Sequence, residues 1–258
     1  GAYFAAIYFG TPMFAALVAY SFMLAIAQIN HPQDTRIAWA FAIMALLTAL
    51  TRPEGLILVS TMWLSILWLS RINQKVAQWK PFVLVMGLIG GAYFIWHWWY
   101  FGAPLPHTFY KKGGGLIYTA GFKVSVITIF KAAWPFLLGI VYGAIRGNWR
   151  NILILSLPLL VGTFMWIFLS DEMNIGGRFQ YPLLPMAILI CFTVLPDEFK
   201  AIKEWKNGYY AGIILGFLVP GYFLNQQSQQ VILGQDGRLP LAKSLSKFKD
   251  KDYTLLTT

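Results

Sequence analysis

Apolar runs long enough to cross a bilayer recur along most of this chain, separated by short polar stretches. We predict eight membrane-spanning helices, because about 20 apolar residues are needed to cross the hydrocarbon core. Their approximate bounds are 10–28, 37–51, 55–70, 81–100, 132–145, 152–170, 182–196 and 209–224. The predicted fold class is therefore all-α, a polytopic membrane helix bundle.

The polar segments outside these spans differ in character. Residues 101–131 form a long connection, in which 116–132 has the composition of an interfacial helix lying along the membrane. Residues 225–258 are polar and rich in lysine, and we interpret them as the beginning of a soluble outer domain. The predicted organisation is a membrane core over 1–224 followed by this tail, in a chain that we expect to be truncated at both ends.

The composition agrees with a membrane protein. Of the 258 residues, 58% are hydrophobic and only 12% are charged, whereas soluble domains contain about 25% charged residues. Mean hydropathy is +0.59. The net charge is +10, and in a chain of this class such an excess marks cytoplasmic loops rather than a nucleic-acid site.

Basic residues concentrate in alternate loops, 29–36, 71–80, 146–151 and 197–208. Lysine and arginine are retained on the cytoplasmic side of membrane proteins, so we predict that these four loops face the cytoplasm. Their basic residues are Arg36, Arg71, Lys75, Lys80, Arg146, Arg150, Lys200, Lys203 and Lys206.

The stretch TRPEG at 51–55 interrupts a long apolar run. A single helix through it would place Arg52 and Glu54 near the bilayer centre, at a cost of about 2.5–3.5 kcal/mol for each charge. We therefore predict a helical hairpin whose turn lies at the outer interface. Pro53 suits the first turn of a new helix, and Thr51 with Glu54 has the form of a capping box. A purely structural turn is a complete alternative to a functional site here.

Two further outer segments also combine charges with proline or glycine at the ends of spans. They are YFGAPLPHTFYKK at 100–112 and SDEMNIGGRFQYPLLP at 170–185. In a helix bundle, breaks on the same side of the membrane lie close together. We therefore expect these two segments and TRPEG to converge on one outward-facing cavity.

In this order, the three segments resemble the lipid-linked-sugar glycosyltransferases of the GT-C fold, particularly bacterial arabinofuranosyltransferases and protein mannosyltransferases. The matching residues are Arg52 to Gly55, Phe101 to Tyr110, and Asp171 followed by Gly177, Arg178, Phe179, Pro182 and Pro185. The resemblance implies transfer of a sugar from a polyprenyl-phosphate donor to a glycan, lipid or protein acceptor at the outer face of the membrane. It also implies a catalytic aspartate in the first outer loop. We expect that residue upstream of Gly1, so that this chain alone is expected to be inactive.

An inverting sugar transfer requires cations that hold the leaving phosphate. Arg52 and Arg178 are the preferred candidates, because guanidinium is a permanent, forked donor that suits phosphate oxygens. The structural alternative is that each reaches lipid headgroups or pairs with a nearby acid, such as Glu54 for Arg52. Further candidate donor contacts are His107, Tyr110 and Lys111.

The reaction also requires a carboxylate that accepts the proton of the acceptor. The catalytic base is unknown, and the candidates within this chain are Asp171, Glu172 and Glu54. For Asp171 and Glu172, the alternatives to a catalytic role are a solvated loop or an ion pair with Arg178. For Glu54, the alternative is a helix cap. No cluster has zinc-ligand spacing. A divalent metal at the acidic pair is compatible with the chemistry but is not indicated.

Two other functions use the same features. A transporter or flippase for a lipid-linked glycan would share the basic outer cavity, but such proteins show helix breaks at matching positions in two halves of the chain. A non-catalytic membrane scaffold would bind no polyprenyl phosphate. The expected partners are membrane lipids, the polyprenyl-phosphate sugar and its acceptor, and not nucleic acid.

Overall fold

The computed structural model describes residues 11–103, 117–147, 149–168 and 179–194. Of these residues 87% are helical, and none of them forms a strand. The helices are α1 (Thr11–Asn30), α2 (Thr35–Thr51), α3 (Pro53–Ile72), α4 (Lys80–Leu84), α5 (Gly91–Phe101), α6 (Thr119–Arg146), α7 (Trp149–Leu155), α8 (Leu157–Phe164) and α9 (Leu184–Val194). A π-helical turn, Val85–Gly90, joins α4 to α5, and turns of 3₁₀ helix follow α8 (Met165–Ile167) and precede α9 (Tyr181–Leu183).

Four helices in the described ranges are long and apolar enough to cross a membrane: α1, α3, α6 and the continuous helix Lys80–Phe101. The bent pair of α7 and α8, which turns by 48°, makes a fifth if it counts as one span. Two shorter apolar helices are Thr35–Thr51 and Tyr181–Val194. The all-helical class, with several helices fit to span a membrane, is thus confirmed. The expected span at 209–224 and the tail at 225–258 lie outside the described residues.

Helices α1 and α2 form an antiparallel pair joined by a buried polar contact. Asp34 caps the start of α2, where its carboxylate accepts a hydrogen bond from the Arg36 backbone N–H at 2.8 Å. The hydroxyls of Ser21 and Thr48 lie 2.9 Å apart and are fully buried. Thr48 donates to the Met44 carbonyl at 2.7 Å, so Ser21 is the donor in the interhelical bond. Such bonds between helices stabilise a membrane protein by about 0.6 kcal/mol on average.

Aromatic stacking fixes α4 to the two preceding helices. The ring of Phe82 stacks on Phe41 of α2, with centroids 5.7 Å apart, and on Trp63 of α3 at 4.8 Å. Phe82 and Phe41 are both buried. The beginning of the helix Lys80–Phe101 is therefore held firmly against the bundle.

The break between α7 and α8 is repaired by a neighbouring helix. Pro158 has no backbone N–H, so it leaves the carbonyl of Ile154, four residues earlier, without its helical donor. Ser65 of α3 is buried, and its Oγ donates to that carbonyl at 2.8 Å. Backbone groups within hydrocarbon must find partners inside the protein, and this bond provides one.

Two local predictions are wrong. The capping box at Thr51 does not form, because Arg52 is the N-cap residue of α3 and Thr51 ends α2, donating its hydroxyl to the Leu47 carbonyl at 2.7 Å. The separate interfacial helix at 116–132 is also absent, since α6 runs unbroken from Thr119 to Arg146. Its buried residues continue at regular spacing from the first half into the second: Gly121, Ser125, Ile129, Ala133 and Phe136. This continuous packing stripe holds the whole length against the bundle.

The bond from Ser65 to Ile154 generates a double-mutant prediction. We expect Ser65→Ala to lower the free energy of unfolding by about 1–3 kcal/mol, the cost of a buried carbonyl without a partner. Pro158→Ala restores the helical donor, so Ser65→Ala should cost much less in that background. Equilibrium unfolding in detergent micelles measures both effects. An equal cost of Ser65→Ala in the two backgrounds would contradict this account of the break.

Candidate functional site

Arg52 is the single residue between α2 and α3. Its backbone is extended, with φ −150° and ψ 142°, and its carbonyl accepts a hydrogen bond from the Gly55 N–H at 2.9 Å. Pro53 opens α3 at the first helical position, where a missing N–H costs nothing. The helical hairpin predicted from TRPEG is thus confirmed, and its turn lies at the end of the bundle.

The Arg52 side chain is held by the beginning of α1. Its Nη2 donates to Thr11 Oγ1 at 2.9 Å, and its Cζ lies 5.4 Å from the centroid of the Phe14 ring. Thr11 and Phe14 are buried, whereas Arg52 is half-buried. A cation over an aromatic ring gains about 0.5–1 kcal/mol at an exposed site and more when desolvated. Two residues distant in sequence therefore fix the position of the guanidinium group.

Glu54 lies in the first turn of α3 and is only 6% exposed. A buried carboxylate needs compensation for its lost hydration. The partial positive charge at the beginning of a helix supplies part of that compensation. The burial of Glu54 favours the structural alternative over the role of a base.

Gly55 permits the close crossing of α2 and α3. A Cβ atom at this position would collide with the Thr48 carbonyl oxygen and would lie 3.0 Å from Cε2 of Phe14. Both contacts are with groups that cannot move away easily, one being backbone and the other a buried ring. The glycine at the fourth position of the Arg-Pro-Glu-Gly motif is thus explained by packing against Phe14, the ring that also holds Arg52.

Chain segments within or next to the other two motifs lie at this same end. The Tyr118 N–H, just before α6, donates to the Ile167 carbonyl at 2.7 Å. The indole of Trp166 stacks on Phe179, with centroids 4.8 Å apart and planes within 7°. Both rings of this stack are buried. The beginning of α6, the end of α8 and the chain entering α9 are therefore tied together.

A second contact joins this group to the TRPEG hairpin. A Cβ atom at Gly162 of α8 would lie 2.6 Å from Leu183 Cδ2 and 2.9 Å from Leu58 Cδ2. Leu58 belongs to α3 and lies less than two turns beyond Arg52. We use the term outer rim, after the side that the sequence predicts, for the helix ends assembled here: Thr11, Arg52, Tyr118, Ile167 and Phe179.

Of the sequence-predicted site residues, the structure describes Arg52 and Glu54. The others lie outside the described residues: His107, Tyr110, Lys111, Asp171, Glu172 and Arg178. Phe179 follows Arg178 directly in the chain and is buried at the outer rim. Within the part of the chain that the structure describes, no group of three or more His, Cys, Asp or Glu side chains is placed to hold a metal ion.

Sequence reasoning missed the residues that position Arg52. Thr11 and Phe14 belong to FGTPMFAAL, a stretch that predicts the beginning of a span but gives no sign of a partner 41 residues away. Thr11 is a polar residue at a helix start, which by itself indicates only a cap. The contact requires the antiparallel packing of α1 and α2, and this becomes visible only in three dimensions.

No family model, no curated protein and no solved structure matches this chain.

The packing at Gly55 generates a prediction with an internal control. We expect Gly55→Ala to lower the free energy of unfolding by about 1–3 kcal/mol, the usual cost of overpacking a tight contact. Gly87→Ala is the matched control, because a Cβ atom there meets nothing within 4 Å. Thermal unfolding of the two variants in the same detergent compares them. Equal stability of the two variants would show that α2 and α3 do not cross as closely as described.

Proposed function

We propose that this chain is the membrane core of a GT-C-like glycosyltransferase that moves a sugar from a polyprenyl-phosphate donor to a cell-envelope acceptor at the outer face of the membrane. The observation that carries the proposal is the arginine at a helix break, held by Thr11 and Phe14 at the outer rim. The described flanks of the other two motifs reach the same rim. We also propose that the membrane core has eight spans and is followed by a soluble outer domain.

Arg52 is the proposed ligand of the donor phosphate. A guanidinium group offers several N–H donors in one plane, a geometry that matches phosphate oxygens, and Thr11 holds that plane through Nη2. The Phe14 ring limits the rotation of the group without neutralising its charge. A cation fixed in this way loses less conformational entropy on binding a phosphate than a freely rotating lysine does.

Arg178 is the proposed second cation, with His107, Tyr110 and Lys111 as further donor contacts. Phosphate leaving groups carry their charge on several oxygens, so more than one cation stabilises departure. Asp171 and Glu172 are the proposed acceptor-binding carboxylates. Because Glu54 is buried within the first turn of α3, we assign it a structural role and place the catalytic base elsewhere.

A transporter or flippase for a lipid-linked glycan is the second candidate, and one observation favours it. Among the described helices, the span formed by α7 and α8 is broken by a 48° bend. Broken helices at membrane depth are typical of transporters. The other irregularity, the π turn Val85–Gly90, lies within a continuous helix, and no inverted pair of halves is evident among the described helices.

Binding of a short polyprenyl monophosphate tests the shared premise of both candidates. With the chain in lipid nanodiscs, we expect Arg52→Ala to weaken binding about 10- to 100-fold, because a hydrogen bond to a charged group contributes about 1.5–3 kcal/mol. Arg52→Lys should recover part of the loss, since it keeps the charge and loses the fork. Arg36→Ala is the control, as Arg36 is an exposed arginine at the opposite end of the bundle.

If Arg52→Ala and Arg36→Ala bind the lipid phosphate equally, Arg52 is no phosphate ligand and the proposal fails. Thermal unfolding of each variant separates lost binding from lost folding, and Arg52→Lys serves if the alanine variant does not fold. Vesicles loaded with a labelled lipid-linked sugar distinguish the two candidates. Movement of the label between leaflets with no sugar transfer by the native full-length protein would favour the flippase.

A further inference from the structure

Helix α5 differs from the other long helices in that none of its residues is buried. Its large side chains are well exposed, up to 82% for Trp99. Over the whole helix Lys80–Phe101, only 11% of the apolar window is buried, against 39% for α1 and 44% for α3. The helix Lys80–Phe101 thus begins packed against the bundle, where Phe82 anchors α4, and ends exposed along α5.

The aromatic rings of α5 contact one another. Trp96 stacks on Tyr100 with centroids 5.7 Å apart, and His97 lies 4.6 Å from the Phe101 ring. The end of the helix is fixed by the His97 ring, whose Nδ1 lies 3.0 Å from the Ala103 carbonyl oxygen. These ring contacts between residues four positions apart stiffen α5 along its own length. They do not attach it to another helix.

The connection between the anchored and the exposed part is unusual. Residues Val85–Gly90 form a π-helical turn, and glycines occupy positions 87, 90 and 91. Cβ atoms at Gly87 and Gly91 would meet nothing within 4 Å, and one at Gly90 would make only an ordinary contact with Leu46 at 3.5 Å. Packing therefore requires none of the three glycines. The three glycines instead give the backbone of this turn conformational freedom. π-Helical turns within α-helices are frequently found at functional sites.

The chemistry of the exposed face indicates what covers it. Helix pairs in membranes pack through small residues, which let the backbones approach. After Gly91 and Ala92, α5 contains only large side chains, ending in the aromatic group Trp96 to Phe101. Tryptophan and tyrosine of this kind are enriched where the hydrocarbon meets the headgroups. Lipid suits this surface better than a second protein helix does.

We propose that α5 is a stiff aromatic arm that lies against lipid and pivots on the glycine-rich π turn Val85–Gly90. The anchored α4 forms the base of the pivot. The chain continues from the tip of the arm into the segment that contains His107, Tyr110 and Lys111. A pivot therefore moves the point at which the chain enters that segment, relative to the outer rim.

The expected displacement of the tip of α5 determines which method can detect the pivot. At about 1.5 Å per residue, the 11 residues of α5 are about 16 Å long. A pivot of roughly 20°, the size of a sharp helix kink, would move the tip by about 5 Å. Pulsed electron paramagnetic resonance between two spin labels resolves a shift of this size.

Spin labels at Trp99→Cys and Leu138→Cys report on the arm, because both positions are exposed and Leu138 belongs to α6. The control pair joins Leu138→Cys to Val83→Cys, an exposed position on the anchored side of the π turn. In nanodiscs, with Cys191 replaced by alanine, we expect a broad distance distribution for the arm pair and a narrow one for the control pair. Gly87→Ala with Gly91→Ala should narrow only the arm distribution.

A single spin label at Ile95→Cys, in a separate nanodisc sample with Cys191 replaced by alanine, tests the lipid contact. Ile95 is 67% exposed, and we expect its label to collide freely with oxygen dissolved in hydrocarbon. Protection from oxygen would mean that protein covers the arm, which would overturn the lipid assignment. Equal widths for the two label pairs, or no narrowing by the alanine variants, would overturn the pivot.

Discussion

A backbone amide or carbonyl group in hydrocarbon must be hydrogen-bonded within the protein, and this constraint determines where the helices of this chain are allowed to break. The turn at Arg52 satisfies it by lying at the end of the bundle, between α2 and α3. The break at Pro158 lies deeper and satisfies it through Ser65, whose hydroxyl reaches the Ile154 carbonyl. The π turn Val85–Gly90 satisfies it by changing the hydrogen-bond pattern without ending the helix. Each of these three helix interruptions therefore meets the hydrogen-bonding requirement in a different way.

The same constraint favours a charged helix break at the end of the bundle, as at Arg52. A break that carries charge is tolerated at the membrane surface, and successive helices return such breaks to the same side. Arg52 is then close to Thr11 and Phe14, which come from a different helix and limit its side-chain motion. The Trp166–Phe179 stack and the Tyr118–Ile167 hydrogen bond bring the flanks of the other motifs to this rim. A basic group fixed at an interface is well suited to an anionic headgroup, which is why we favour a lipid-phosphate substrate.

Local signals in the sequence predicted much of the fold. Arg52 and Glu54 within an apolar run indicated a hairpin, and the apolar run from residue 37 indicated a helix, which begins at Thr35 after its N-cap Asp34. The beginning of α6 was predicted wrongly, because Lys123 and Lys131 lower local hydropathy although both point away from the packed face. The role of Gly55 and the Thr11–Arg52 bond depend on contacts between helices, which no local pattern contains. The π turn is equally invisible, since its residues are as apolar as those of an ordinary span.

The central claim is that the three charged, proline-bearing breaks share one side of the membrane. Single cysteines at Thr51, Ile117 and Tyr181, in a chain with Cys191 replaced by alanine, test it directly with a membrane-impermeant thiol reagent on sealed, oriented vesicles. Val76 and Gly147, exposed positions at the opposite end, serve as the reference. The account predicts that the first three cysteines are labelled from one side and the reference pair only from the other. Labelling of Thr51→Cys together with the reference pair, on the side opposite to Ile117→Cys, would contradict it.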